Sequence, residues 1–88
     1  MNDLYKALLK LKTPHEVAAF WRDLLTHQEI KTFNQRFEMA KLLYQGYSYQ
    51  RIAKKLKVST TTVTRVAHWL HHGKGGYQLV LSRLFPKK

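Results

Sequence analysis

Apolar positions along this chain recur with the period of helices, and no stretch of convincing length alternates as a strand would. Leu4, Leu8, Leu9 and Leu11 line one side of a first segment that Asp3 is placed to cap. Thr13-Pro14-His15-Glu16 then has the form of a capping box with proline at the first helical position, and Val17, Phe20, Trp21 and Leu24 follow as one face. Thr26-His27-Gln28-Glu29 repeats that capping logic at the start of the longest predicted helix. Ile30, Phe33, Phe37, Ala40 and Tyr44 share one side of it, Met39, Leu42 and Leu43 widen the stripe, and Gly46 ends it.

Two short helices come next. Ser48 is placed to cap one whose apolar face is Ile52, Ala53 and Leu56; a tight connection over Lys57, Val58 and Ser59 leads to a second, capped by Ser59, with Val63, Val66, Ala67 and Leu70 as its buried stripe. The glycines from His72 to Gly76 predict a loop. Tyr77, Val80, Leu81 and Leu84 predict a last helix that packs back on the core and stops at Pro86, leaving a basic tail over 86–88. The expected fold is all-α, with five or six helices, no internal repeat and a helix-turn-helix over about residues 48–71.

Length changes this picture in one respect. Eighty-eight residues make a single domain, 1–88, short enough to bury only a modest share of its own surface. So many large hydrophobes, above all the broad stripe of the long helix, are hard to hide in a monomer, which predicts a core shared in a homodimer. The chain has no cysteine, so a disulfide framework or a thiolate metal site is excluded. No run approaches the roughly 18 apolar residues of a membrane span, and the start Met-Asn-Asp-Leu-Tyr does not read as a signal peptide. The expectation is a soluble, cytoplasmic protein.

Charge points to the partner. The 16 bases and 5 acids leave a net charge of +11, and they are unevenly placed. Residues 1 to 33 hold five bases against four acids, whereas residues 34 to 88 hold eleven bases against Glu38 alone. Such a cation field attracts polyanions through counterion release. It coincides with a helix whose outward positions are Thr60, Thr61, Thr64, Arg65 and His68, hydroxyls, a guanidinium and an imidazole with no acid among them. Those side chains suit base edges in a major groove, and Gln50, Arg51, Lys54, Lys55 and Lys57 on and after the preceding helix suit phosphates. Threonine is a poor helix former, and four of them between Thr60 and Thr64 cost roughly half a kilocalorie per mole each against alanine, which implies a gain outside folding. The expected function is sequence-specific binding of double-stranded DNA by a transcriptional regulator. The alternative is an architectural or interaction protein that uses the same basic surface on nucleic acid without reading sequence.

Other chemistry finds little support. His68 and His72 lie one helical turn apart, but imidazoles near a helix C-terminus also answer its negative dipole end or a phosphate, and no carboxylate or cysteine lies near to complete a metal site. The glycine cluster lacks the spacing of a nucleotide-phosphate loop. Asp3, Glu16, Asp23, Glu29 and Glu38 are scattered, and three of them are placed to serve caps. No catalytic constellation, metal or cofactor is expected.

Longer motifs add a family. Leu24-Leu25-Thr26 before the long helix, Asn34-Gln35-Arg36-Phe37-Glu38 with Ala40-Lys41 inside it, Thr62-Val63-Thr64-Arg65 in the helix-turn-helix and Gly76-Tyr77-x-Leu79-Val80-Leu81 beyond it together resemble the tryptophan-repressor superfamily, in particular its YerC/YecD branch, from about Leu4 to Leu84. The resemblance implies an intertwined all-α homodimer whose two recognition helices enter successive major grooves. Half-sites would then lie roughly 34 Å apart. In tryptophan repressor a threonine and two arginines frame the bound amino acid, and the resemblance places Thr26, Arg36 and Arg65 there. Two departures follow: Val66 stands where that repressor has glycine, and Trp69 where it has a serine. The effector pocket is therefore expected to be vestigial or filled by Trp69 itself, and not to bind L-tryptophan. Lys57 departs too, at a turn where glycine is commoner because it accepts positive φ, and the connection before Ser48 is one residue shorter than in tryptophan repressor.

Overall fold

The computed structural model describes residues 2–87 and contains six helices: α1 (Asp3–Lys10), α2 (Pro14–Leu24), α3 (His27–Tyr44), α4 (Tyr49–Leu56), α5 (Thr60–His72) and α6 (Gly76–Leu84). There is no strand among the described residues. By packing, the chain divides into two compact units, one up to Thr32 and one from Phe33 onward.

In the first unit the helix starts are set by local hydrogen bonds. Asn2, not Asp3, caps α1: its Oδ1 accepts from the Leu4 amide at 2.8 Å. Asp3 is instead the first helical residue, where its charge meets the positive end of the helix dipole and lies 3.9 Å from the Lys6 ammonium. At α2 the Thr13 hydroxyl accepts from the Glu16 amide at 3.1 Å, but the Glu16 carboxylate turns to the amide of Lys12 at 2.8 Å. The box is thus displaced by one residue. At α3 it is complete, with Thr26 and Glu29 exchanging bonds of 2.9 and 3.1 Å. Neither α1 nor α2 has a buried residue, and Leu9 is 77% exposed.

The second unit carries the core. Met39, Ala40 and Leu42 of α3, Ile52 and Ala53 of α4, Val63, Val66 and Leu70 of α5 and Leu81 of α6 form one buried cluster, with Phe37, Leu43, Tyr44, Tyr47, Leu56, Val58 and Tyr77 packed around it. Fully burying a side chain such as Ile52 or Val63 contributes roughly 1.5–3 kcal/mol, so this cluster holds the two short helices in place. The α3 stripe differs from the periodic expectation. Burial falls on Met39, Ala40 and Leu42, while Phe33 stays 41% exposed. Leu81 alone of the last helix is fully covered; Tyr77 is half-buried, and Val80 and Leu84 are exposed.

Two turns aim the helix-turn-helix. After α3, Gly46 adopts φ +93°, its amide bonds the Leu43 carbonyl, and the Tyr47 amide reaches back to the Leu42 carbonyl, both at 3.0 Å. Those two bonds satisfy carbonyls that a helix end leaves open, and the left-handed residue between them favours glycine. After α4 the same device is built on a lysine. Lys57 sits at φ 57°, ψ 46°, and the Val58 amide bonds the Ala53 carbonyl at 3.0 Å. Ser48 and Ser59 cap α4 and α5 as expected, accepting from Arg51 at 3.2 Å and Thr62 at 3.1 Å. The loop predicted over His72–Gly76 is shorter. The helical ladder persists through the Gly73 amide to the Trp69 carbonyl and resumes from the Gly75 carbonyl, so only Gly73 to Gly75 connect α5 to α6. The final helix stops at Leu84, because Phe85 precedes Pro86 and is pushed out of the helical region. Of the basic tail, Lys88 lies outside the described residues, as does Met1 of the N-terminal start.

Candidate nucleic-acid interface

α5 divides cleanly into two faces. Val63, Val66, Ala67 and Leu70 point into the core, and Thr60, Thr61, Thr64, Arg65 and His68 are all exposed. The first turn is anchored by Ser59, whose hydroxyl also pairs with that of Thr62 at 2.9 Å, and Thr64 turns its own hydroxyl hydrogen back to the Thr60 carbonyl at 2.9 Å. Thr64 Oγ1 therefore presents acceptor lone pairs outward. Arg65 enters no ion pair among the described residues, leaving its planar donor fork free for an acceptor from outside.

Gln50, Arg51, Lys54, Lys55 and Lys57 are likewise exposed. Three of them, Arg51, Lys54 and Lys55, line one cleft of about 370 Å³ together with Tyr47, and the Arg51 guanidinium stands 4.8 Å above the centre of the Tyr47 ring. Gln50 and Lys57 lie outside that cleft. The acid of the C-terminal half, Glu38, is paired to Lys41 at 2.7 Å within α3. None of these cations is neutralised by it.

A second hollow opens beside α5. A cavity of about 800 Å³ is lined by Arg36, Arg65, Val66 and Trp69, which brings together four of the five residues assigned to an effector pocket. Thr26 belongs to the first unit, where it caps α3. Val66 is buried in the wall, whereas Trp69 is 61% exposed. Lys74 and Tyr77 also line the cavity, and sequence reasoning missed both. Lys74 was hidden in a glycine loop, and Tyr77 read simply as core. The imidazoles at the end of α5 form a ladder, His68 to His72 at 5.3 Å and His71 to His72 at 6.4 Å between ring centres. No group of three or more histidine, cysteine or acidic side chains is arranged to hold a metal ion among the described residues.

Among the described residues, six helices, two of them joined by a tight left-handed turn, and an acid-free hydroxyl and arginine face on the second make a helix-turn-helix like those that bind DNA. The chain belongs to the Trp repressor protein family, whose model matches residues 1–85, and within it to a YerC-like branch. It is 34% identical to the Bacillus subtilis (strain 168) protein YerC over 84 residues, which is 96% of this chain and 81% of that one. The crystal structure of a TrpR like protein from Eubacterium eligens ATCC 27750 is similar at a TM-score of 0.88 with 40% identity, over 98% of this chain and 89% of the other. A further crystal structure, of a Staphylococcus aureus protein, matches at a TM-score of 0.88 and 35% identity, over 98% and 86%. That family suggests a DNA-binding regulator. No helix among the described residues is long and apolar enough to cross a membrane.

Proposed function

We propose that this protein is a sequence-specific, double-stranded-DNA-binding transcriptional repressor that works in the cytoplasm as a homodimer, the two units of each chain acting as one DNA-binding domain. α5 enters the major groove. Thr60, Thr61, Thr64, Arg65 and His68 meet base edges, while Gln50, Arg51, Lys54, Lys55 and Lys57 hold phosphates and set the register. The observation that carries this reading is the two-faced α5, whose inner face is locked in the core and whose outer face is polar, cationic and free of acids.

Dimerisation is supported by the apolar side chains that one chain leaves uncovered. Leu4, Leu9, Leu24, Phe33 and Leu84 are all exposed, and association of two chains would take such side chains out of water. Sedimentation should give twice the 10.4 kDa chain mass at micromolar concentration; a folded monomer there would contradict the dimer. L-Tryptophan is not the corepressor in this reading. Val66 and Trp69 both line the cavity; in this reading Val66 crowds the space for a ligand's ring and Trp69 takes the place of an added indole.

The decisive experiment is selection of bound fragments from a random duplex pool at physiological salt, with and without L-tryptophan. The expected result is one palindromic motif with half-sites about one helical turn apart, the same in both arms. Binding with a salt slope and no motif would replace this reading with the architectural one. A motif recovered only with L-tryptophan would overturn the role given to Val66 and Trp69.

A further inference from the structure

We propose that Tyr47 is a positioning residue for DNA binding: its ring holds the Arg51 guanidinium so that Arg51, Lys54 and Lys55 clamp one backbone phosphate in the cleft at the start of the helix-turn-helix. The proposal rests on the reading of α4 as the phosphate-contacting helix and adds a residue to it. Neither charge nor hydrogen-bonding pattern marks Tyr47 as part of an interface in the sequence.

The geometry starts with the backbone on either side of the pair. The Tyr47 amide is tied to the Leu42 carbonyl at 3.0 Å, and the Arg51 amide is tied to the Ser48 hydroxyl at 3.2 Å, so both side chains leave a fixed backbone only four residues apart in the chain. Tyr47 is half-buried, with one side packed on the core cluster that includes Ile52. The Arg51 guanidinium lies over its ring, 4.8 Å from the ring centre. An arginine on an exposed helix turn ordinarily samples many rotamers, and binding must then freeze them. Contact with the ring removes much of that freedom in advance, and the donors of the planar fork enter no ion pair among the described residues.

Surroundings select the ligand. The cleft of about 370 Å³ is lined by Tyr47, Arg51, Lys54 and Lys55, three cations and no acid. None of the three makes an ion pair among the described residues. Three converging donors with no internal counter-charge fit a single phosphate oxyanion, and the planar fork supplies direction that the two ammonium groups do not.

The test is a double-mutant cycle read by salt-dependent DNA titration on the full chain. Arg51→Ala should lower the slope of log affinity against log salt by about 1. Tyr47→Leu keeps an apolar anchor on the core but no ring face, and should weaken binding about two- to five-fold at low salt. Tyr47→Phe keeps the face and should match the natural protein. In the double variant, Tyr47→Leu should add nothing to the Arg51→Ala loss. If Arg51→Ala lowers the slope and Tyr47→Leu either has no effect or adds independently, the positioning role is wrong while the α4 reading survives. If Arg51→Ala leaves slope and affinity unchanged, α4 is not the phosphate helix and both ideas fall. Tyr47→Phe behaving like Tyr47→Leu would assign the effect to the hydroxyl and overturn the stacking account. Should Tyr47→Leu not fold, proton chemical shifts in the natural protein decide: the Arg51 side-chain protons should be displaced upfield by the ring, and shifts of a free arginine would refute the stack.

Discussion

Replacing Lys57 by glycine should make this protein more stable and a weaker DNA binder at once. Lys57 holds φ 57°, ψ 46° at the turn between α4 and α5, the one non-glycine residue at positive φ among the described residues. A left-handed conformation costs an L-residue about 1–2 kcal/mol. Glycine removes that strain but gives the unfolded chain extra freedom worth roughly 0.5–1 kcal/mol, so a net gain of about 0.5–1 kcal/mol is expected. For a domain of this size that raises the melting temperature by about 2–8 °C. The Lys57 side chain is exposed and makes no hydrogen bond or ion pair among those found in the described residues, so removing it sacrifices no internal contact. Lys57→Ala is the control, because it deletes the same cation and keeps the strained backbone. Thermal melts at one fixed protein concentration should place the glycine variant above the alanine variant by that full margin. Duplex titrations should show the same slope loss, about 1, in both. Equal melting of the two variants would refute the strain argument, and an unchanged slope would remove Lys57 from the interface.

Three further outcomes test other parts of the structure. Gly73→Ala would set its new Cβ 2.5 Å from the Trp69 carbonyl oxygen, a backbone atom that cannot swing away, so urea unfolding should show a loss of about 1–3 kcal/mol; a neutral result would mean that the α5–α6 joint relaxes freely. Thr26→Ala breaks one half of the reciprocal cap on α3 and should destabilise by about 0.5–2 kcal/mol, with Thr26→Ser restoring most of it. Arg65→Ala should weaken binding to the selected motif by about 1–3 kcal/mol and relax preference at one base position, whereas equal losses on all duplexes would make Arg65 a phosphate contact instead.

Much of the candidate interface is legible in the residues themselves because its causes are local. A hydroxyl at Ser48, Ser59 or Thr26 meets an amide three residues on, and that geometry depends on little beyond the chain between them. The inner and outer faces of α5 follow in the same way from helical period, and Lys57 at a turn that favours glycine already signals a left-handed residue. Local competition also explains the small departures. At α1 two adjacent polar residues can each cap, and Asn2 wins while Asp3 serves as the first helical residue.

What tertiary structure alone decides is coverage and convergence. The α3 stripe is wider than its neighbours can cover, so period could not say that Met39, Ala40 and Leu42 would be sealed while Phe33 kept an exposed edge. Arg36 and Arg65 are far apart in sequence, and only the packing of the second unit sets them on one cavity with Lys74 and Tyr77. Tyr47 shows the boundary most sharply: as a letter beside Gly46 it is one more half-apolar residue, and it becomes a platform for Arg51 only after the α3 end and the α4 cap have fixed both backbones. Hydrogen bonds a few residues apart are written in sequence order, whereas burial and side-chain convergence depend on which surfaces the folded chain brings face to face.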